Sequence, residues 1–392
     1  MEIIRKLKKL ILLVLFIVLF LFFSNCKEEI TEPDLHYKQP VTTDDGWETG
    51  TLSSVEMDKS FFEQLDLKIA IGNFGEVHSV IVVKNNRLVF EKYWPGHDFS
   101  YSDPNFHGTY IDFGINTRQN THSTTKSFTS ALIGIAIDKG FIKSKDDKIF
   151  DYLPERYDTF NSGGREKITI TDCLKMASGL KWNEWDVDIK SAEHDIIKFN
   201  SSSDPINYLL SKPIVTEPGT AFYYNGGTVD LLGQIIKYAT NSSVQSFSKK
   251  YLFEPLGITN YNWTVLYPSR ITCCHGDIYI TPRDMAKFGQ LFLDDGMWKG
   301  KRIISSEWVN LSTQNHINPN VSWADGYGYL WWIKNFKVNG VEYNSFKTMG
   351  WGGQEIFVFK KLEMVVVFTG ANYVEDTHTD FIVSDYVLPS LK

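Results

Sequence analysis

The strongest constraint on this chain is that strand-like sequence lies at both ends and helix-like sequence lies between. The stretch "VHSVIVVKNNRLVFEKYW" reads as two strands, Val77 to Val83 and Arg87 to Tyr93, joined at Asn85-Asn86. Strand patterns return only near the end, in "YGYLWWIK", "FKTMGWGG" and "QEIFVFKKLEMVVVFTGAN". The expectation is a mixed α/β (α+β) fold, with one sheet built from the N- and C-terminal parts, flanking helices and an inserted helical region.

Helix punctuation supports the middle assignments. In "TPRDMAKFGQLFLDDG", Thr281 stands at the N-cap, Pro282 at the first helical position and Asp284 at the capping-box position. Met285, Phe288 and Phe292 then share one face, which we read as core. At 392 residues the chain can bury a sizeable core. A net charge of -7 gives no electrostatic reason to expect nucleic acid as a partner.

The chain opens with Arg5, Lys6, Lys8 and Lys9, followed by fourteen apolar residues from Leu10 to Phe23. This is a basic n-region and an h-region too short for a comfortable spanning helix. Phe23-Ser24-Asn25-Cys26 resembles a relaxed bacterial lipobox, which implies a signal peptide over 1–25 and lipidation of Cys26. A polar tether over 26–55 and a folded domain over 56–392 would follow, held at the cell envelope outside the cytoplasm. An uncleaved signal anchor, or secretion with Cys26 as an ordinary thiol, are the alternatives. Cys173, Cys273 and Cys274 are an odd count and a poor disulfide framework, so buried free thiols are expected. No run of His, Cys and carboxylates has metal-ligand spacing, and we expect neither a metal nor another cofactor.

Ser-x-x-Lys occurs four times, starting at Ser24, Ser123, Ser178 and Ser246. Only Ser123 is followed by a run, "KSFTSALIGIAIDKG", that is apolar on most faces of a helix and so reads as buried. At the start of a buried helix, free N–H groups and the helix dipole stabilise an alkoxide and the oxyanion it generates. Lys126 returns to the same face, and burial would favour a neutral amine able to take the serine proton. The plainer reading makes Ser123 a helix cap and Lys126 a solvated first-turn residue.

Further motifs decide between these readings. "HSTTKSFTSALIGIAIDKG", "ITITDCLKMASGLKWNE", "EPGTAFYYNGGTVDLLGQII", "YLFEPLGI", "GDIYITPRDMAKFGQLFLDDGMWKGKRIISSEWV", "YGYLWW" and "GWGGQEIFVF" follow one another from about Met57 to Thr369. Together they resemble the serine β-lactamase and penicillin-binding-protein superfamily, in the branch of class C β-lactamases, related esterases and 6-aminohexanoate-dimer hydrolase. The resemblance implies a β-lactamase/transpeptidase-like antiparallel sheet. It also implies Ser123 as nucleophile, with Lys126 and Tyr224 shuttling the proton. Tyr224 is selected over Tyr223 because the family's tyrosine lies six residues after the Pro of Pro-Gly-Thr, here Pro218. The third position of the Tyr-x-Asn motif is then Gly226, and Asn225 is the candidate to replace the missing amide in binding substrate. The usual Lys-Thr-Gly motif is matched by Trp351-Gly352-Gly353 as substrate-binding residues, with the N–H groups of Ser123 and Gln354 as the oxyanion hole.

A tryptophan where the family has lysine suits neutral, apolar esters or amides better than the carboxylate of a β-lactam or a D-Ala terminus. The expected activity is therefore an acyl-enzyme serine hydrolase acting on a small ester or amide. A β-lactamase or D-Ala carboxypeptidase ranks second, and a non-catalytic binding lipoprotein of the envelope is the reading from another class. Glu184, in "KWNEWD", could line the cleft but reads more simply as an exposed loop carboxylate.

Overall fold

The two strand-rich ends of the chain meet in one sheet. The structure, a computed structural model, describes residues 36–392, so the expected signal peptide and Cys26 lie outside the described residues. The strands that concern us are β1 (Glu48–Thr49), β2 (Val77–Lys84), β3 (Arg87–Tyr93), β4 (Gly96–Phe99) and β5 (His107–Ile111), then β6 (Gly326–Tyr327), β7 (Trp332–Val338), β8 (Val341–Gly350), β9 (Gln354–Phe359) and β10 (Met364–Gly370). Eight of them form the sheet in the order β1-β3-β2-β10-β9-β8-β7-β6, while β4 and β5 pair with each other. Every pairing in the large sheet is antiparallel except β1 with β3.

The hairpin read from sequence forms, and Asn85 and Asn86 take φ values of 51° and 61° at its turn. Two successive left-handed residues give the primed turn whose twist matches that of the strands, and asparagine tolerates it better than most side chains. Alternation along β2 then divides its residues between two cores. Ile81 and Val83 face the helical side, whereas Val80 and Val82 face a second cluster with Phe62 and Leu65 of α1 (Lys59–Ala70) and Ile382 and Val387 near the C-terminus. Both faces are covered, which is why the central strands read as unbroken apolar runs.

Helices α2 (Thr125–Asp138), α3 (Gly226–Thr240) and α4 (Pro282–Leu293) build the helical side. In α4 the Thr281 Oγ1 accepts the N–H of Asp284, Pro282 opens the helix, and Met285, Phe288 and Phe292 are fully buried. Burial of each such side chain is worth roughly 1.5–3 kcal/mol. Gly289 lets this helix lie flat on the sheet, since a Cβ there would come within 2.6 Å of Val365.

The expected tether is shorter than its polarity suggests. From Tyr37 onward the chain belongs to the same compact unit as the rest of the domain. Trp47 is buried and its Nε1 donates to the Arg283 carbonyl at 3.2 Å. The Arg283 guanidinium donates to Glu91 at 2.7 Å, Asp45 at 3.0 Å, Thr43 at 2.9 Å and the Val41 carbonyl at 2.8 Å. Residues that look like linker are polar because they surround a buried cation. Among the described residues no helix is long and apolar enough to cross a membrane, and Cys173, Cys273 and Cys274 are buried free thiols.

Removing one member of a buried ion network leaves the other uncompensated, at a cost of about 3–5 kcal/mol. Arg283→Met, which strands the Glu91 carboxylate, is expected to lower the urea midpoint by a corresponding amount and to expose residues 37–49 to limited proteolysis. An unchanged midpoint would show that the network contributes nothing to the fold.

Candidate active site

Strand β8 and the start of α2 meet edge to end. Gly350, the last residue of β8, packs so tightly that a Cβ would come 2.3 Å from the Thr121 carbonyl. The Thr124 hydroxyl donates to the Gln354 carbonyl at 2.6 Å and lies 2.9 Å from Thr348 Oγ1. Between these anchors His122–Thr124 form a single 3-10 turn, and His122 takes a φ of 43°. A bulky residue in the left-handed region is strained and persists only where its surroundings hold it. Ser123 is half-buried in a segment that is otherwise buried, so the tight turn presents its hydroxyl to the cleft.

The helix-cap reading of Ser123 does not describe this turn, because neither Thr121 nor Thr124 at the N-cap positions makes a side-chain cap bond. Ser123 Oγ instead accepts a hydrogen bond from Lys126 Nζ at 2.9 Å. Lys126 also donates to the His275 carbonyl at 2.7 Å, and its Nζ lies 4.9 Å from the centre of the Tyr224 ring. His275 is held in turn by the buried carboxylate of Asp230, which accepts both its backbone N–H and its ring Nδ1 at 2.9 Å. The Thr129 hydroxyl donates to the adjacent Cys274 carbonyl at 2.9 Å and ties this segment to α2.

Charge at Lys126 differs from the sequence reading. Burial works against the ammonium, but Tyr224 and the Glu184 carboxylate more than offset it and hold the amine above its ordinary range. A lysine that donates to two acceptors and has an anion nearby keeps its proton at neutral pH. His122, beside Ser123, behaves in the opposite way: burial pushes it down to about 4 despite Asp277, so it is neutral.

The second motif contains a residue that sequence reasoning set aside. Asn225 is 1% exposed; its Oδ1 accepts the Thr228 N–H at 3.1 Å as the N-cap of α3, and its Nδ2 is buried without a hydrogen-bond partner. Where the family's motif would carry a side chain, Gly226 has none, and a Cβ there would come 3.1 Å from Glu184 Oε2. That oxygen accepts the Gly226 N–H at 2.8 Å and the Trp182 indole N–H at 2.7 Å. Glu184 is thus fixed at the N-terminus of α3, close enough to act on Lys126. The available signal was the glycine itself, which leaves room for a carboxylate from another loop.

Aromatic rings flank the cleft on two sides. Tyr224 stacks on Trp185 at 4.7 Å, and Trp332 lies 6.2 Å from both. Opposite, Trp351 meets Phe106 at 4.5 Å, Tyr373 at 5.2 Å and His122 at 5.7 Å, and its Nε1 donates to the Tyr373 carbonyl at 2.8 Å. Gly352 and Gly353 make the turn after β8 with φ values of 82° and 93°. Lys347, one turn of strand earlier, is withdrawn from the cleft, paired with Glu355 at 2.8 Å and Asp380 at 2.7 Å.

Because Glu184 helps hold Lys126 protonated, Glu184→Gln should let the lysine lose its proton at lower pH. The rate at which a fluorophosphonate modifies Ser123, followed against pH, should then fall off earlier on the alkaline side than in wild type. An alkaline limb that does not move would show that Glu184 has no hold on Lys126.

Known proteins resemble this chain over most of its length. The family model described as Beta-lactamase matches residues 77–382. An uncharacterised protein of Alkalihalophilus pseudofirmus is 25% identical over 336 residues, covering 76% of this chain and 87% of that protein. The 6-aminohexanoate-dimer hydrolase of Paenarthrobacter ureafaciens is 23% identical over 270 residues, covering 65% of this chain and 66% of that enzyme. A family VIII carboxylesterase shares the fold with a TM-score of 0.63 at 16% identity, over 84% of this chain and 96% of its own. With the match spanning most of the folded domain and the Ser-x-x-Lys turn lying inside it, the chain belongs to the Beta-lactamase family of serine hydrolases.

Proposed function

We propose that the protein hydrolyses neutral ester or amide bonds through an acyl-enzyme on Ser123, and that β-lactams are poor substrates. The observation that carries the reading is the hydrogen bond from the Lys126 ammonium to Ser123 Oγ beside the Tyr224 ring. In this scheme the Ser123 proton passes to the Tyr224 oxygen beside the Lys126 ammonium, while Oγ bonds to the substrate carbonyl. Tyr224 then gives that proton to the departing alcohol or amine as the carbon–heteroatom bond breaks. Water repeats the sequence to free the acid. The N–H groups of Ser123 and Gln354 receive the oxyanion, and the Thr124 bond to the Gln354 carbonyl supports their relative placement.

Substrate class follows from what flanks the nucleophile. The family's lysine is replaced by Trp351, and Lys347 is sequestered in ion pairs, so no cation on that strand awaits a substrate carboxylate. Glu184 adds a negative charge, and the aromatic walls favour apolar groups on both sides of the scissile bond. The similarity to an amide-dimer hydrolase and the fold shared with a carboxylesterase support the same choice. Wild type should be labelled by a fluorophosphonate and turn over p-nitrophenyl butyrate at least tenfold faster than nitrocefin, and Ser123→Ala should lose both activities. Equal labelling of wild type and Ser123→Ala, or nitrocefin turnover that matches the ester, overturns the reading.

We also propose envelope tethering through a lipid on Cys26, on the strength of the basic and apolar leader before it. Metabolic labelling with a tagged palmitate should mark wild type and be lost in Cys26→Ser. Unlabelled wild type would leave secretion or a signal anchor in its place.

A further inference from the structure

No linear run of ligands suggests a metal, yet the β4–β5 hairpin brings three metal-binding side chains together across strands. Donor atoms of Glu76, His97 and His107 all lie within 4.8 Å of one another. His97 Nδ1 is 3.0 Å and His107 Nε2 3.8 Å from Glu76 Oε2. On the other side of the carboxylate, His78 Nε2 is 3.6 Å from Oε1. The expectation of no metal failed to register this group because its members stand on different strands, with no fixed spacing in sequence.

His78 is the most informative of the four. It is 1% exposed, and its Nδ1 lies 2.8 Å from Gln119 Oε1. The Gln119 amide is oriented by its own Nε2, which donates to Thr369 Oγ1 at 2.7 Å. Its oxygen therefore faces His78, and the Nδ1 carries the proton. His78 Nε2 is buried without a hydrogen-bond partner and lies 3.6 Å from Glu76 Oε1. Gly96 completes the fit: a Cβ there would come 2.5 Å from Glu76 Oε1 and 2.7 Å from His78 Nε2, so only glycine lets the hairpin close on these groups.

We propose that Glu76, His97 and His107 bind one divalent transition-metal ion of the zinc class at the root of the β4–β5 hairpin, with His78 behind the Glu76 carboxylate. Imidazole nitrogens with a single carboxylate select zinc, cobalt or nickel over calcium or magnesium, which prefer all-oxygen shells. Bonds of about 2.1 Å place tetrahedral ligand atoms about 3.4 Å apart, within the 3.0–3.8 Å found between Glu76 Oε2 and the imidazoles of His97 and His107. In the structure the His97 and His107 rings stack at 4.7 Å, and His107 Nε2 lies 3.0 Å from the Ala371 carbonyl. Coordination opens this stack and turns His107 from Ala371 toward the ion.

The ion would sit outside the Ser123–Lys126–Tyr224 group and take no part in acyl transfer. Its effect would be mechanical. The same hairpin carries Phe99, whose ring lies 5.7 Å from Trp351, and leads to Phe106 at 4.5 Å. Bracing its root braces one aromatic wall of the cleft.

The test uses the full chain, stripped with a chelator and titrated with cobalt(II) chloride alone. Wild type should bind one equivalent with visible d–d bands, and zinc chloride should displace it and raise Tm. His97→Ala and His107→Ala should each weaken binding at least tenfold. Because a variant can also fail by misfolding, a second measurement stays within wild type: zinc should protect His97 and His107 from diethyl pyrocarbonate, read by peptide mass. Ser123→Ala should bind the ion as wild type does, which separates this proposal from the hydrolase reading. Absence of one-to-one binding, equal affinity in wild type and His97→Ala, or unchanged carbethoxylation with zinc overturns it.

Discussion

Strand β2 pairs along its length with β10, from Lys84 opposite Met364 to Val77 opposite Gly370. This ladder joins parts of the chain separated by the entire helical region, and everything else takes its position from it. On one face it receives Gly289 and the phenylalanines of α4; on the other it closes the second core against α1 and the C-terminus. Successive antiparallel neighbours then carry the sheet outward from β10 to β8, whose end presses on the turn that holds Ser123. A long-range pairing of this kind brings a large entropy cost of loop closure, and the two cores that it completes are what offset it.

The interior contains several full charges, each answered by an opposite one. Arg283 is met by Glu91 and Asp45 and Lys347 by Glu355 and Asp380, while the Asp230 carboxylate accepts from the His275 backbone and ring. Such pairs are weak stabilisers relative to apolar packing but costly to break. Two of them act on the site indirectly. Asp230 fixes the His275 carbonyl that receives Lys126, and the pairing of Lys347 keeps a cation out of the cleft. At Glu184 the logic differs, because its carboxylate is bound by N–H groups and its charge is left to act on Lys126.

Much of the local structure was legible because it is set by near neighbours. The Asn85-Asn86 turn, the Thr281 cap with Pro282, and the apolar face of α4 depend on residues within a few positions of one another, and the structure has each where the sequence pattern puts it. Legibility failed wherever a partner is distant. The segment from Tyr37 to Thr49 looks like linker until Arg283 is placed beside it. The capping of α3 by the Asn225 oxygen shows only once α3 begins at the next residue. Glu184 looks like a loop carboxylate until Gly226 leaves it a place.

By itself the sequence determined the fold class and the family, because periodicity and the order of motifs are properties of the chain read in line. Tertiary structure alone decided the protonation of Lys126, the capping role of Asn225, the nearness of Glu184 and the gathering of Glu76, His78, His97 and His107. Each of these depends on burial or on a charge brought in from a remote segment. Electrostatic energy varies with distance and local polarity, and neither exists until the chain has folded.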